Sequence, residues 1–392
     1  WHSVTGVQTC ALPISNRETD PVAKGKVTSF DIAHLAGVSQ PTVSRALRDS
    51  PLVNETTRRK VQAIAAKLNY KVDKNASNLR CQHSETLALL LFEDENIDDS
   101  LINPFFHAML ASITRACAAR GYDLLISFQH MSQDWHAEFE DSKKADGLIL
   151  LGYGDYEAYR ARLEQLVAQG TRFVRWGAVV EGQPGVSIGS DNAQGGYEAT
   201  RHLLAQGRQQ IAWLGDASRH YPEFQARFRG YQKALREAQL TAMPSLRVTA
   251  LSSESDGRTA METLLNRGES FDAVFAASDL IAIGAMQVLA ERGLRVPEDV
   301  AVVGFDDIPM ARHARPALST VAQDTRLAGQ ILVDTLIDQI HGKETPSQRL
   351  PVKLALRQSS GTTANYQSTG AASKCSCSQL CIDANARLAA RG

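Results

Sequence analysis

The 392-residue chain predicts an all-α N-terminal headpiece built on a helix-turn-helix, joined to a two-lobe α/β domain of parallel sheets with helices on both faces. Three observations carry this reading. Apolar residues recur at helical spacing between Thr28 and Leu68, interrupted by Gly37 and by Asp49 to Asn54. A surplus of positive charge is confined to the same stretch. From Glu85 onward, short apolar runs of strand length alternate with helical patterns, the order of parallel sheets with crossover helices.

In the headpiece, Asp31, Ile32, Leu35 and Ala36 place apolar residues on one helical face, with Thr28 or Ser29 as N-cap. Gly37 ends this helix, because glycine tolerates the left-handed backbone of a tight turn. Ser39 caps a second helix from about Gln40 to Leu47. Helix, Gly-containing turn and helix make the motif whose second helix enters the major groove of DNA. The residues so presented are Gln40, Pro41, Thr42, Ser44 and Arg45. Val38, Val43 and Leu47 suit the small core between the two helices. Asn54, Glu55 and Thr57 open a third helix with Val61, Ile64, Ala65 and Leu68 on its apolar face.

Residues 26–80 hold ten Lys and Arg against four Asp and Glu, a balance of +6; the whole chain is −1, so the remainder is −7. One basic end on a nearly neutral chain matches a modular binder of phosphate backbone, whose affinity rises with the phosphates it neutralises. A charge run alone would be only a solvated face. Its coincidence with a helix-turn-helix favours nucleic acid.

Asp31-Ile32-Ala33 followed by Ala36-Gly37-Val38-Ser39-Gln40-Pro41-Thr42-Val43-Ser44-Arg45, with Leu68-Asn69-Tyr70 beyond, resembles the headpiece of the lactose-repressor and galactose-repressor (LacI/GalR) family. The resemblance implies that Gln40, Pro41 and Arg45 read bases, Arg45 by bidentate contact to guanine. Thr42 and Ser44 would hold phosphates and set register. It further implies a hinge helix over 73–84, in which Leu79 enters the minor groove and kinks the duplex and Ala76 is also a DNA-binding residue. That segment is too short and polar to be helical alone, so it would fold only when docked beside its twin in a dimer. Arg48 and Ser77 depart from the residues common at those positions.

About 280 residues follow the headpiece, enough for two lobes with substantial cores. Strands are predicted at Thr86–Phe92, Tyr122–Phe128, Gly147–Leu151, Phe173–Trp176, Gln210–Leu214, Ala273–Ala276, Ala301–Phe305 and Pro351–Arg357, with a helix at Pro104–Arg120. Ligands of such sheets bind beyond the carboxyl ends of the strands. That directs attention to Asn103-Pro104-Phe105-Phe106, Ser190-Asp191-Asn192, Arg227, Ser278-Asp279, Asp306-Asp307 and Gln323, a set of carboxylates, amides, a guanidinium and aromatic faces suited to sugars. Residues 85–361 resemble the effector domain of the same family, which shares its fold with periplasmic sugar-binding proteins. The resemblance implies effector contacts from Asp191, Arg227, Ser278, Asp306 and Gln323, with Phe105 or Phe106 as the near wall. Ser278 stands where asparagine is most often found. Trp176, Tyr221 and Phe224 are either further stacking surfaces or core, and Asp307 either a ligand contact or a turn residue. Lobe crossings are expected near residues 205, 320 and 350.

Gly152-Tyr-Gly154 is only a fragment of a dinucleotide fingerprint, and no phosphate-loop, zinc-protease or serine-hydrolase motif occurs. No catalysis, cofactor or metal is therefore expected. The six cysteines form no disulfide framework, and Cys375, Cys377 and Cys381 lack histidines at metal-binding spacing. No apolar stretch reaches about 18 residues. Residues 1–25 show no secretory signal; Val7 to Ile14 read as a translated sequencing adaptor, so this segment is expected to be artefactual or disordered. Residues 362–392 read as a disordered tail without leucine heptads, which predicts a dimer rather than a tetramer. The expected function is that of a cytoplasmic, nucleoid-associated repressor of a carbohydrate operon. It would bind a palindromic operator as a dimer and be released by a small mono- or oligosaccharide.

Overall fold

The computed structural model describes residues 27–70, 83–92, 103–129, 133–152 and 154–361. They fall into two compact units, divided between Gln82 and His83. The expectations for residues 1–25, for the tail, for most of the hinge, including Ala76 and Leu79, and for the tail cysteines lie outside the described residues.

The first unit contains α1 (Ser29–Ala36), α2 (Gln40–Leu47) and α3 (Glu55–Lys67). Thr28 forms a capping box with Asp31 at the start of α1, and Gly37 ends it at φ 69°. Asn54 caps α3 through its side chain, accepting from the Thr57 N–H at 2.8 Å. Ser39 stands at the N-cap of α2 but makes no side-chain cap bond; its hydroxyl pairs with Thr42 Oγ1 at 2.9 Å. Ile32, Ala36, Val43, Ala46, Val61 and Ala65 form the core of the unit. Leu35 does not join them. At 56% exposure it lies on the outer side of α1, because Ala33 takes the inward place beside Ile32 and Ala36. Lys60 donates to the Ala36 carbonyl at 2.9 Å, where the carboxyl end of a helix favours a cation, and so ties α3 to the end of α1.

The second unit has two six-stranded sheets. The first lobe contains β1 (Thr86–Leu91), α4 (Pro104–Arg120), β2 (Asp123–Phe128), β3 (Gly147–Leu151), α5 (Tyr156–Ala168), β4 (Phe173–Trp176) and β5 (Val186–Ser190). The second contains α6 (Asn192–Ala205), β6 (Ile211–Leu214), α7 (Pro222–Glu237), β7 (Arg247–Val248), α8 (Glu254–Asn266), β8 (Ala273–Ala276), α9 (Asp279–Glu291), β9 (Ala301–Asp306), α10 (Pro309–His313) and β10 (Ser319–Gln323). The chain then returns to the first lobe for α11 (Thr325–Ile340) and β11 (Gln348–Leu350), and ends in the second with β12 (Val352–Ala355).

The first sheet is ordered β11-β5-β4-β3-β1-β2 and the second β12-β10-β9-β8-β6-β7. All pairs are parallel except β10 with β12. Strands such as Leu87–Leu91 are buried on both faces, which is why they read as unbroken apolar runs.

One expectation is corrected. The first lobe crossing is at Ser190–Asn192, not near 205: α6 packs against α7 in the second lobe, and its start, not its end, is the passage. The second is at Gln323–Thr325. The predicted closing strand Pro351–Arg357 is β12, Val352–Ala355, and an unpredicted strand, β11, precedes it; the two are parted at Pro351, where the third crossing falls. Among the described residues, no helix is long and apolar enough to cross a membrane.

Candidate DNA interface and effector cleft

In the first unit, Pro41 and Arg45 are exposed on α2, while Gln40, Thr42 and Ser44 are half-buried. Gln40 donates to Ser29 Oγ at 3.3 Å, so its side chain is anchored to α1 at the head of the recognition helix. The Pro41 ring at the first turn replaces an amide that would have no helical partner.

In the second unit, the residues expected to contact an effector lie at the carboxyl ends of strands. Ser278 follows β8 and caps α9, Asp306 ends β9, Gln323 ends β10, and Asp191 caps α6, accepting from the Gln194 N–H at 3.0 Å. Arg227 reaches this edge from α7. Its Nε donates to Asn192 Oδ1 at 2.8 Å, Nη1 donates to the Ala277 carbonyl, and Nη1 lies 3.6 Å from Asp306 Oδ1. Gln323 Nε2 donates to Asp306 Oδ1 at 2.6 Å. Arg227, Asp306, Gln323 and Asn192 thus form one closed polar cluster, and the guanidinium lies 3.7 Å over the Phe305 ring.

The cluster is nearly dry. Arg227 and Ser278 are fully buried, and Asp306 is 3% exposed. Burial raises the Asp306 pKa to about 7, against the lowering influence of Arg227 and Gln323. Behind it, Asp279 accepts from Thr320 Oγ1 and from the Ile308 N–H; burial, with Asp306 nearby, raises its pKa well above the ordinary carboxylate range. Asp306 and Asp307 have φ of 119° and 54°, conformations that cost non-glycine residues about 1–3 kcal/mol each and gather at functional sites. Asp307 is held by Arg357 and Arg312, so its role is to fix the turn.

The structure joins the near wall to this cluster through polar side chains. Asn103 accepts from the Phe105 N–H and donates to Ser252 Oγ at 3.1 Å, and Ser252 donates to Ser278 Oγ at 2.9 Å. Further bonds cross between the lobes: Ala178 N–H to Glu223 Oε1 at 2.6 Å, Tyr156 N–H to the His220 carbonyl at 2.8 Å and His220 Nδ1 with Asp155 Oδ1 at 2.8 Å. Phe105 and Phe106 are buried in an edge-on pair, with Phe105 6.0 Å from the Trp176 ring. Trp176 and Phe224 are core, at 4% and 2% exposure, and Tyr221 is half-buried. Sequence reasoning missed Ser252, Glu223 and Arg175. Only Arg175 left a signal, as a charge inside the apolar run Phe173–Trp176. No group of three or more His, Cys, Asp or Glu side chains is placed to hold a metal among the described residues.

Comparison with known proteins agrees in both units. Residues 30–73 match the family "Bacterial regulatory proteins, lacI family", and residues 200–360 match "Periplasmic binding protein-like domain". The ribose operon repressor of Haemophilus influenzae is 32% identical over 319 residues, spanning 80% of this chain and 92% of its own. The HTH-type transcriptional repressor PurR of Edwardsiella ictaluri is 31% identical over 347 residues, spanning 85% and 96%. Among solved structures, the lac repressor dimer bound to operator and the anti-inducer ONPF has a TM-score of 0.73 at 29% identity, covering 86% of this chain and 99% of that one. A CelR–cellobiose complex has a TM-score of 0.63 at 30% identity, covering 85% and 99%. The chain belongs to the lacI family of bacterial regulatory proteins, which are DNA-binding transcriptional regulators and not enzymes.

Proposed function

We propose that this regulator is a repressor that acts in the cytoplasm on the nucleoid, binds a palindromic operator as a homodimer, and is released by a small sugar. The observation that carries the reading is the pairing of an exposed recognition face at Pro41 and Arg45 with the polar cluster around Arg227 at the strand ends of a separate two-lobe unit. The solved relatives with operator and with cellobiose support DNA and sugar as the two ligands.

Its physical course follows from the three crossings. Ser190–Asn192, Gln323–Thr325 and Leu350–Val352 are the only covalent paths between lobes among the described residues, and two of them carry Asp191 and Gln323. A ligand held at those residues pulls on the segments about which the lobes turn. Such coupling requires the sugar to prefer one arrangement, with about 1–3 kcal/mol typical. The turn is read out as a change in operator affinity.

Gel-shift titration on the DNA upstream of its own gene tests the reading. Wild type is expected to bind, with affinity falling steeply as salt rises. Arg45→Ala should lose about 1–3 kcal/mol of specific binding. A sugar panel should include at least one compound that lowers operator affinity. Absence of a shift at low salt would count against DNA binding; a sugar that raises affinity would reverse the assigned direction.

A further inference from the structure

The first lobe contains a buried cation that neither the fold nor the polar cluster of the second lobe uses. Arg175 is 2% exposed in a strand otherwise made of Phe173, Val174 and Trp176, with the Tyr156 ring 5.3 Å from its guanidinium carbon. One nitrogen donates to Gln183 Oε1 and the side chain also pairs with the Tyr159 hydroxyl. Its Nε has no hydrogen-bond partner, and no ion pair to a carboxylate is formed by it among the described residues. Arg175 lines a cavity of about 10 Å³ shared with Phe92, Gln129, Tyr159 and Trp176, the size of one water or one ligand oxygen.

Three features give this cavity a direction. It lies at the carboxyl ends of β1, β3 and β4, the edge where parallel sheets receive ligands. Trp176 is shared between it and the aromatic contact with Phe105, so it adjoins the near wall of the cleft. Gly177 keeps the next position open: a Cβ there would lie 3.1 Å from Glu223 Oε1, which belongs to the other lobe, and 3.2 Å from Arg175 Nη1. A water in the cavity would satisfy the N–H but would bring no charge to the buried guanidinium, whose neighbouring carboxylate, Glu223 of the other lobe, accepts from the Ala178 N–H and forms no ion pair with it; buried charges are ordinarily paired directly.

Resting on the reading of the cleft as an effector site, we infer that Arg175 is a specificity residue for an anionic effector, a monosaccharide bearing a carboxylate or phosphate whose oxygen takes the free Nε. The anionic group enters beside Trp176, and the hydroxyls of the ring face the cluster of Arg227, Asp306 and Gln323.

Titration calorimetry on the full-length protein tests this with hexuronates, hexonates and hexose 6-phosphates, each against its neutral parent hexose. At least one anionic sugar is expected to bind about tenfold or more tightly than its parent, the worth of a charge-assisted hydrogen bond. Binding by a hexuronate or hexonate assigns a carboxylate, and binding by a 6-phosphate assigns a phosphate. Arg175→Met should erase the preference without weakening the neutral parent, and Arg175→Lys should keep part of it. Neutral hexoses binding as well as their anionic forms would overturn the assignment while leaving the effector reading intact, as would a preference unchanged in Arg175→Met. If that variant does not fold, the wild-type ratio and the lysine variant decide. If neither class of sugar binds, the effector reading fails and this inference fails with it.

Discussion

Arg227→Met is expected to lower the unfolding free energy by about 3–5 kcal/mol at pH 8, the range for removing one member of a buried ion pair. The substitution leaves the Ala277 carbonyl and Asn192 Oδ1 without the Arg227 donor that now serves them and Asp306 without its counter-charge, in a place with almost no solvent to replace it. The loss should depend on pH, with a definite sign. Burial raises the Asp306 pKa from 3.8 to about 7, so the folded chain holds this proton more tightly than the unfolded one. The stability linked to that proton is fully present below about pH 4 and is lost as pH rises through about 7. Arg227 is the largest influence lowering this pKa, so the variant raises it further and extends the loss above pH 7. The deficit is therefore larger at pH 8 than at pH 5.5, where Asp306 is mostly neutral and needs no counter-charge. Urea denaturation at the two pH values measures it. Equal deficits would show that the charge pair is not the source, and Arg227→Met with Asp306→Asn should restore part of the loss at pH 8 if it is.

The parts of this fold that were legible in the chain are those in which local chemistry and final environment coincide. Leu87 to Leu91 are apolar because both sides of β1 are covered, and Gly37 is glycine because the turn needs φ 69°. The strands β5 and β10 went unseen. Ser187, Gly189, Ser190, Ser319, Thr320 and Gln323 give them no apolar run, although they are buried within sheets. The misplaced crossing near 205 has a similar cause: Gly207, at φ 84°, marks the end of a helix, but no local residue says which lobe that helix joins. For the cleft, strand ends pointed to the right edge, and the resemblance supplied Asp191, Arg227, Ser278, Asp306 and Gln323. Ser252 and Glu223 were illegible because their roles arise only where one lobe meets the other. Leu35 was misread because helical spacing allows two overlapping faces on a short helix, and only packing against α2 and α3 selects one.

Gly230→Ala is expected to destabilise the second unit by about 2–3 kcal/mol, although the same change in an isolated helix would stabilise it by about 1 kcal/mol. The reversal comes from the contact between α6 and α7. A Cβ on Gly230 would lie 2.0 Å from the Ala193 carbonyl oxygen and 2.6 Å from the Tyr197 nitrogen, and one on Gly196 would lie 2.0 Å from the Arg227 carbonyl oxygen. These neighbours are backbone atoms, so no rotamer change relieves the clash and the helices must part. Separation matters beyond stability, because α7 carries Arg227 and Asn192 opens α6, and their side chains are bonded at 2.8 Å. Moving the helices apart by an ångström or so would break the cluster while leaving the helix-turn-helix unit untouched. Gly230→Ala should thus weaken release by the effector more than it weakens operator binding. Gly207→Ala is the control: unlike the helical Gly230 it lies at positive φ, but nothing lies within 4 Å of its Cβ, and only about 1–2 kcal/mol of backbone strain is at stake. Thermal or urea melts should place Gly230→Ala below Gly207→Ala in stability. A stabilised Gly230→Ala would mean that the two helices are free to spread, and that their close approach does not hold Arg227 in register with Asn192.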